Sequence, residues 1–197
     1  ITTLADSTNY TITIGGGGSQ QALYQHSKGN NSEALTYSAT GGGSGGISRY
    51  NNPPLDPYVN TYSGYDGRPG GSGGGGMGTE TGSPGGAGNQ GGYTPVEGYA
   101  GGSVDDSSGQ SPSGDPTRAG GGGGSGGPGT YVTTGGGGPG TASTITGSSV
   151  TRASGGQVAN NTASGAANSG DGGSSGINTS GSGAGGSGIV ILRYKFQ

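Results

Sequence analysis

The clearest alternation of apolar and polar positions lies near the N-terminus, where Tyr10, Ile12 and Ile14 are separated by Thr11 and Thr13. This two-residue period, in residues that favour pleated backbone, predicts a half-buried strand that stops at Gly15. The other strong pattern closes the chain. Ile189-Val190-Ile191-Leu192-Arg193-Tyr194-Lys195-Phe196 is the most apolar run and begins abruptly after Gly188. As a strand it would place Val190, Leu192, Tyr194 and Phe196 on one face, with Ile189, Ile191, Arg193 and Lys195 on the other. The two strands are expected to pair, closing the domain at one end and bringing the termini together.

Between them the pattern dissolves into glycine. Runs at 15–18, 41–46, 70–78, 82–92, 120–129, 135–140, 170–176 and 181–188, with weaker ones at 98–102 and 109–114, alternate with segments that carry side chains. The runs have a period of three. Gly82, Gly85, Gly88 and Gly91 share one phase, while Pro84, Ala87, Gln90 and Tyr93 share another. From Gly120 onward two of the three phases are glycine, and Ser125, Pro128 and Tyr131 fall in the third. Three residues per turn belong to the polyproline-II-type helix, which makes no internal hydrogen bonds. Its outward N–H and C=O groups need partners, and neighbouring arms can supply them where no Cβ holds backbones apart. The expected fold is therefore irregular, with little α or β: a polyglycine-II helix sandwich closed by a small β element pairing the N- and C-terminal strands. On this reading residues 1–14 are the first strand and a link to an upstream shaft, 15–188 the sandwich with variable loops, and 189–197 the last strand. Proline suits the backbone angle but lacks N–H, so Pro84, Pro128 and Pro139 are expected to point outward or to end an arm.

Composition sharpens the choice. Glycine contributes 56 and proline 10 of 197 residues, whereas Leu, Ile, Val and Phe together number only 21. So little aliphatic material cannot assemble an ordinary core, and composition alone would place the chain among disordered sequences. Its 10 acidic and 7 basic side chains give a net charge of −3, so it does not repel itself into an open coil. The few scattered Lys and Arg exclude a phosphate-neutralising surface and hence nucleic acid as partner. Without cysteine there is no disulfide framework or thiolate metal site. No stretch approaches the ~20 apolar residues of a membrane span, so no membrane insertion is expected. The chain starts at Ile1 without methionine, which suggests sequence upstream.

Catalytic constellations are absent: there is no HExxH, no Walker A and no strand-placed GxSxG, and the GxGxxG matches follow from composition. No enzyme activity, cofactor or metal is expected. His26, beside Tyr24 and Lys28 in a polar segment, reads as an exposed loop histidine; Asp105-Asp106 could help hold a cation but reads better as a solvated acidic turn. Tyrosine stands out, with 11 copies against one Phe and no Trp. Tyr50, Tyr58, Tyr62 and Tyr65 fall in one insert with Arg49, Asp56 and Arg68, a mixture of rigid aromatic surface and polar tips that suits binding loops and saccharides. The same rings would equally serve to cap the sandwich ends. Arg49, Tyr50, Asp56, Tyr58, Tyr62, Tyr65 and Arg68 are the leading receptor-binding candidates; Tyr24, His26, Tyr37, Tyr93 and Tyr99 are secondary ones.

The opening Tyr10-Thr11-Ile12-Thr13-Ile14-Gly15, the internal Gly140-Thr141-Ala142-Ser143-Thr144-Ile145-Thr146-Gly147-Ser148-Ser149-Val150-Thr151 and the final Gly-Gly-Ser-Gly-Ile-Val-Ile-Leu-Arg-Tyr resemble the glycine-rich C-terminal domain of tailed-phage fibre and structural proteins. The resemblance covers the whole chain, apart from the insert from Ile47 to Arg68. It implies the distal module of a virion appendage, similar to adhesins of T-even-like phages whose polyglycine-II sandwiches carry host-recognition loops. By that implication the partners are a host cell-surface glycan or outer-membrane protein and the upstream fibre shaft or other virion proteins. The location would be a tail-fibre tip, and the assembly is compatible with a homotrimer. The other readings are a structural fibre or capsid-decoration element with no receptor of its own, a disordered glycine-rich linker, and a cellular extracellular filament or matrix protein.

Overall fold

The computed structural model describes residues 7–20, 26–46, 66–77, 83–104, 119–132, 136–159, 162–176 and 182–194. Among these there is no α-helix, and the strands are two or three residues long. β1 (Ile12–Thr13), β2 (Ser32–Ala34) and β3 (Tyr37–Ala39) form an antiparallel sheet in that order. β4 (Ala119–Gly120) pairs antiparallel with β5 (Tyr131–Val132), and β6 (Thr141–Ser143) with β7 (Val150–Arg152). β8 (Val158–Ala159) and β9 (Ser175–Gly176) run parallel.

The expected pairing of the two terminal strands is not what forms. β1 takes β2 as its ladder partner, with Ile12 opposite Ala34 and Thr13 opposite Glu33, and no strand occurs in 182–194. The termini are instead joined one step inward, through glycine: Gly185 N–H donates to Gly18 C=O at 2.9 Å and Gly188 N–H to Gly15 C=O at 3.0 Å. Backbones without Cβ approach there, so residues 189–194 leave the bundle beside β2 and β3 and line a groove of about 610 Å³ with Leu35 and Tyr37.

Hydrogen bonds between arms advance by three residues. The N–H groups of Gly43 and Gly46 reach Ser72 and Gly75; those of Gly73 and Gly76 reach Tyr99 and Gly102; those of Gly120 and Gly123 reach Gly76 and Gly73. The arm 72–76 bonds to four others, 41–46, 83–89, 98–104 and 119–124, whereas a pleated strand bonds to two at most. Its glycines 73–76 are all buried. An ideal Cβ on Gly73 would lie 1.8 Å from Gly86 O, on Gly74 1.9 Å from Ser44 O, and on Gly75 1.8 Å from Gly120 O. The interior is thus backbone against backbone. Pro84, Pro128 and Pro139, which have no N–H to give, are exposed.

Successive arms run in opposite directions. Arg68 and Gly71 donate to Ser44 and Gly41, Gly86 and Asn89 to Gly74 and Gly71, Gly101 and Val104 to Gly86 and Ser83, and Tyr99 and Gly102 to Gly124 and Gly121. Each pair rises on one arm as it falls on the other. The connections therefore alternate between two ends of the bundle.

Candidate binding surface

One end carries the first and last described residues of the chain. Residues 7–11, the β2–β3 turn, the 90–97 loop, the β6–β7 hairpin, the 167–170 turn and residues 189–194 all lie there, as the arm directions require. At the opposite end, which we term the loop end, stand the described residues flanking seven segments: Gln20 and His26, Gly46 and Asp66, Met77 and Ser83, Val104 and Ala119, Val132 and Gly136, Ala159 and Thr162, Gly176 and Ser182.

These flanks are stitched together. Met77 bridges Ala119, Ser83 bridges Val104, Ser175 bridges Ser182, and the β4–β5 and β8–β9 pairs sit at the same level. The buried hydrophobic residues gather here too: Val104 is 2% exposed and Val158 1%, and Met77 packs against Ala119 and Val158. Among the described residues, side-chain packing is concentrated at this end of the arms.

His26 and Arg68 belong to this end, and neither is the exposed group that the sequence suggests. Arg68 is 4% exposed, with its Nη2 3.0 Å from His26 Nε2. His26 is half-buried and places Nδ1 3.2 Å from both Ser44 Oγ and Gly45 O. Arg68 is therefore an anchor at the root of the 47–65 insert, not a surface contact. Its lone position within a glycine arm was the available signal: a long side chain there has only neighbouring backbone and side chains to lie against. Arg49, Tyr50, Asp56, Tyr58, Tyr62, Tyr65 and Tyr24 lie outside the described residues, as does Asp105-Asp106.

The secondary candidates Tyr37, Tyr93 and Tyr99 are exposed, but at the terminal end. Large exposed hydrophobic residues, from Tyr10 and Ile12 through Tyr37, at 64%, to Leu192 and Tyr194, at 84%, crowd that end. The loop bearing Tyr93 is held by two side chains. Asn89 Oδ1 accepts from Tyr93 N at 3.1 Å and Glu97 N at 3.3 Å, while Glu97 accepts from Gly91 N at 3.0 Å and Thr40 N at 2.8 Å. Tyr37, Tyr93 and Tyr99 thus stand at the end opposite Gly46 and Asp66, the described residues that flank the insert. Among the described residues no cluster of His, Cys, Asp and Glu could hold a metal ion.

No curated protein matches the chain, and no solved structure does. The model of a family described as a glycine-rich domain matches residues 1–195, nearly the full length over which the glycine arms and both flanking segments extend. The chain belongs to this glycine-rich domain family.

Proposed function

We propose that the arms are polyglycine-II helices packed into a sandwich, and that the protein is a non-enzymatic distal module of a phage tail fibre or similar virion appendage. The helix assignment is supported by the three-residue step of the interarm bonds and by an arm with four bonded neighbours, because a helix of three residues per turn offers N–H groups in three directions about 120° apart. Each such bond nets only about 1 kcal/mol, but glycine has no side-chain entropy to lose.

The observation that carries the binding role is the polarity of the molecule: seven loop-flanking pairs stand at the end remote from the termini. A module attached through its termini presents that end outward. The 47–65 insert, with Arg49, Tyr50, Asp56, Tyr58, Tyr62 and Tyr65, is rooted there, and it supplies the mixture of aromatic and polar groups that recognises a bacterial surface glycan or outer-membrane protein. Tyr58→Ala combined with Tyr62→Ala should reduce adsorption to host cells while thermal unfolding is unchanged. Full adsorption by a folded double variant would reject this site.

One observation favours a second reading, a structural fibre or capsid-decoration element: the apolar residues exposed at the terminal end suit attachment to other virion proteins. Gold-labelled imaging of the particle separates the two. A fibre tip supports adhesion, and a repeated position on the shell supports decoration.

A further inference from the structure

The only histidine of the chain sits where three arms meet. His26 leads into residues 27–30, Ser44 and Gly45 belong to 41–46, and Arg68 to 67–71. A guanidinium nitrogen can only donate a hydrogen bond and a carbonyl can only accept one. The 3.0 Å contact with Arg68 Nη2 therefore requires a lone pair on His26 Nε2, and the 3.2 Å contact with Gly45 O requires the proton on Nδ1. Both conditions hold only for the neutral imidazole. A proton added at Nε2 would set N–H against N–H and bring a second cation to within 3.0 Å of a guanidinium that keeps its charge at any working pH.

Among the described residues, the charged groups around the imidazole are few. The 67–71 arm brings Arg68, with Asp66 half-buried two residues before it; the 41–46 arm brings glycines and the Ser44 hydroxyl; Lys28, two residues beyond His26, is exposed. We infer that His26 is a proton-sensitive pin: neutral, it ties three arms together at the loop end, and protonated it releases Arg68 so that this corner of the bundle loosens. The sign follows from the fold's demand for the neutral form. The pin's contribution is complete above the ordinary histidine value of about 6.5 and is lost as pH falls below it. This goes beyond the binding role and depends on the geometry of the junction, not on what the loops bind.

With one histidine and no cysteine, hardly any other group titrates between pH 5 and 8, so the effect can be read directly. The test is NMR of the full chain across pH 8 to 5, following the His26 ring and amide exchange corrected for intrinsic chemistry. The Nδ1–H tautomer should dominate at pH 8, and the ring should titrate below about 6.5. Opening at the Gly46 and Arg68 amides should rise by about tenfold or more by pH 5, the change that one unit of displacement produces, while Gly122 and Gly123 stay protected. His26→Gln, which keeps an acceptor for Arg68, should show no such dependence. The inference is overturned by a midpoint at or above the ordinary value, by equal loosening at both places, or by the same pH dependence in His26→Gln. Should that variant fail to fold, the wild-type titration decides alone.

Discussion

At single positions the glycines divide into two kinds that the sequence does not distinguish. Gly75 is walled by Gly120 O, 1.8 Å from where a Cβ would sit, whereas the nearest atom to a Cβ on Gly42 is Ser72 O at 3.9 Å. Neither backbone can retreat without breaking its own bonds, because Gly120 N donates to Gly76 O at 2.8 Å and Gly75 O accepts from Gly46 N at 2.8 Å. Gly75→Ala should therefore cost more than about 4 kcal/mol, in the tail reserved for gross steric or burial faults. Gly42→Ala should be neutral or stabilise by up to about 1 kcal/mol, because alanine has less freedom to lose from the unfolded chain. Thermal unfolding of the two variants side by side checks this. At roughly 2–4 °C per kcal/mol for a chain of this size, the difference is easily resolved. Similar melting temperatures would mean that the close glycine contacts do not hold the fold together.

At the level of arms and strands, the phase of the glycines was legible but their neighbours were not. Period three follows from local sequence; which arm meets which is decided by contacts as distant as Gly188 N with Gly15 O. Tyr10 to Ile14 predicts a half-buried strand, but only Ile12–Thr13 forms one and all five residues are exposed, and its partner Ser32-Glu33-Ala34 contains no β-branched or aromatic residue and carries no strand signal. The apolar run from Ile189 was misread for the opposite reason. It has strand-forming side chains, but the terminal arms meet through the glycine contacts of Gly185 with Gly18 and Gly188 with Gly15, and residues 189–194 continue beside β2 and β3 instead of along β1. The proposed arms with three residues per turn make a sharp prediction about register. One extra glycine between Gly74 and Gly75 turns everything beyond it by a third of a turn, so the Gly76 N–H no longer faces Gly102 O. Such an insertion should lower the melting temperature by 10 °C or more, on the order of 4 kcal/mol at this size, and abolish amide protection in 119–124. Three residues added within 78–82 should leave both nearly unchanged, since long loops cost only about 0.6 kcal/mol per doubling. Equal tolerance of both insertions would count against arms of this kind.

For the molecule as a whole, the antiparallel course separates two chemistries. The loop end is stitched by bridges and by the small Val104, Ala119 and Val158 core, and the terminal end bears exposed tyrosines and aliphatic residues. The residues flanking the favoured insert stand at the first, and Tyr37, Tyr93 and Tyr99 stand at the second, a separation visible only once arm direction is known. Function can therefore be removed from one end without disturbing the other. Arg68 N–H donates to Ser44 C=O at 2.8 Å, so the two roots of the 47–65 insert are neighbours, and a four-residue Gly/Ser turn can close the gap between them. Replacing 47–65 by such a turn should leave amide protection in 72–76 and 119–124 intact while adsorption falls by at least tenfold, equivalent to about 1.4 kcal/mol of binding free energy. On the proposed reading, Tyr93→Ala with Tyr99→Ala should fold and adsorb as the parent does, because those rings are exposed at the end remote from the residues flanking the insert. Measuring both chains in one adsorption assay makes the outcomes exclusive: loss only in the second would move recognition to the terminal end, and loss in neither would leave the sandwich a spacer whose binding partner is the virion itself.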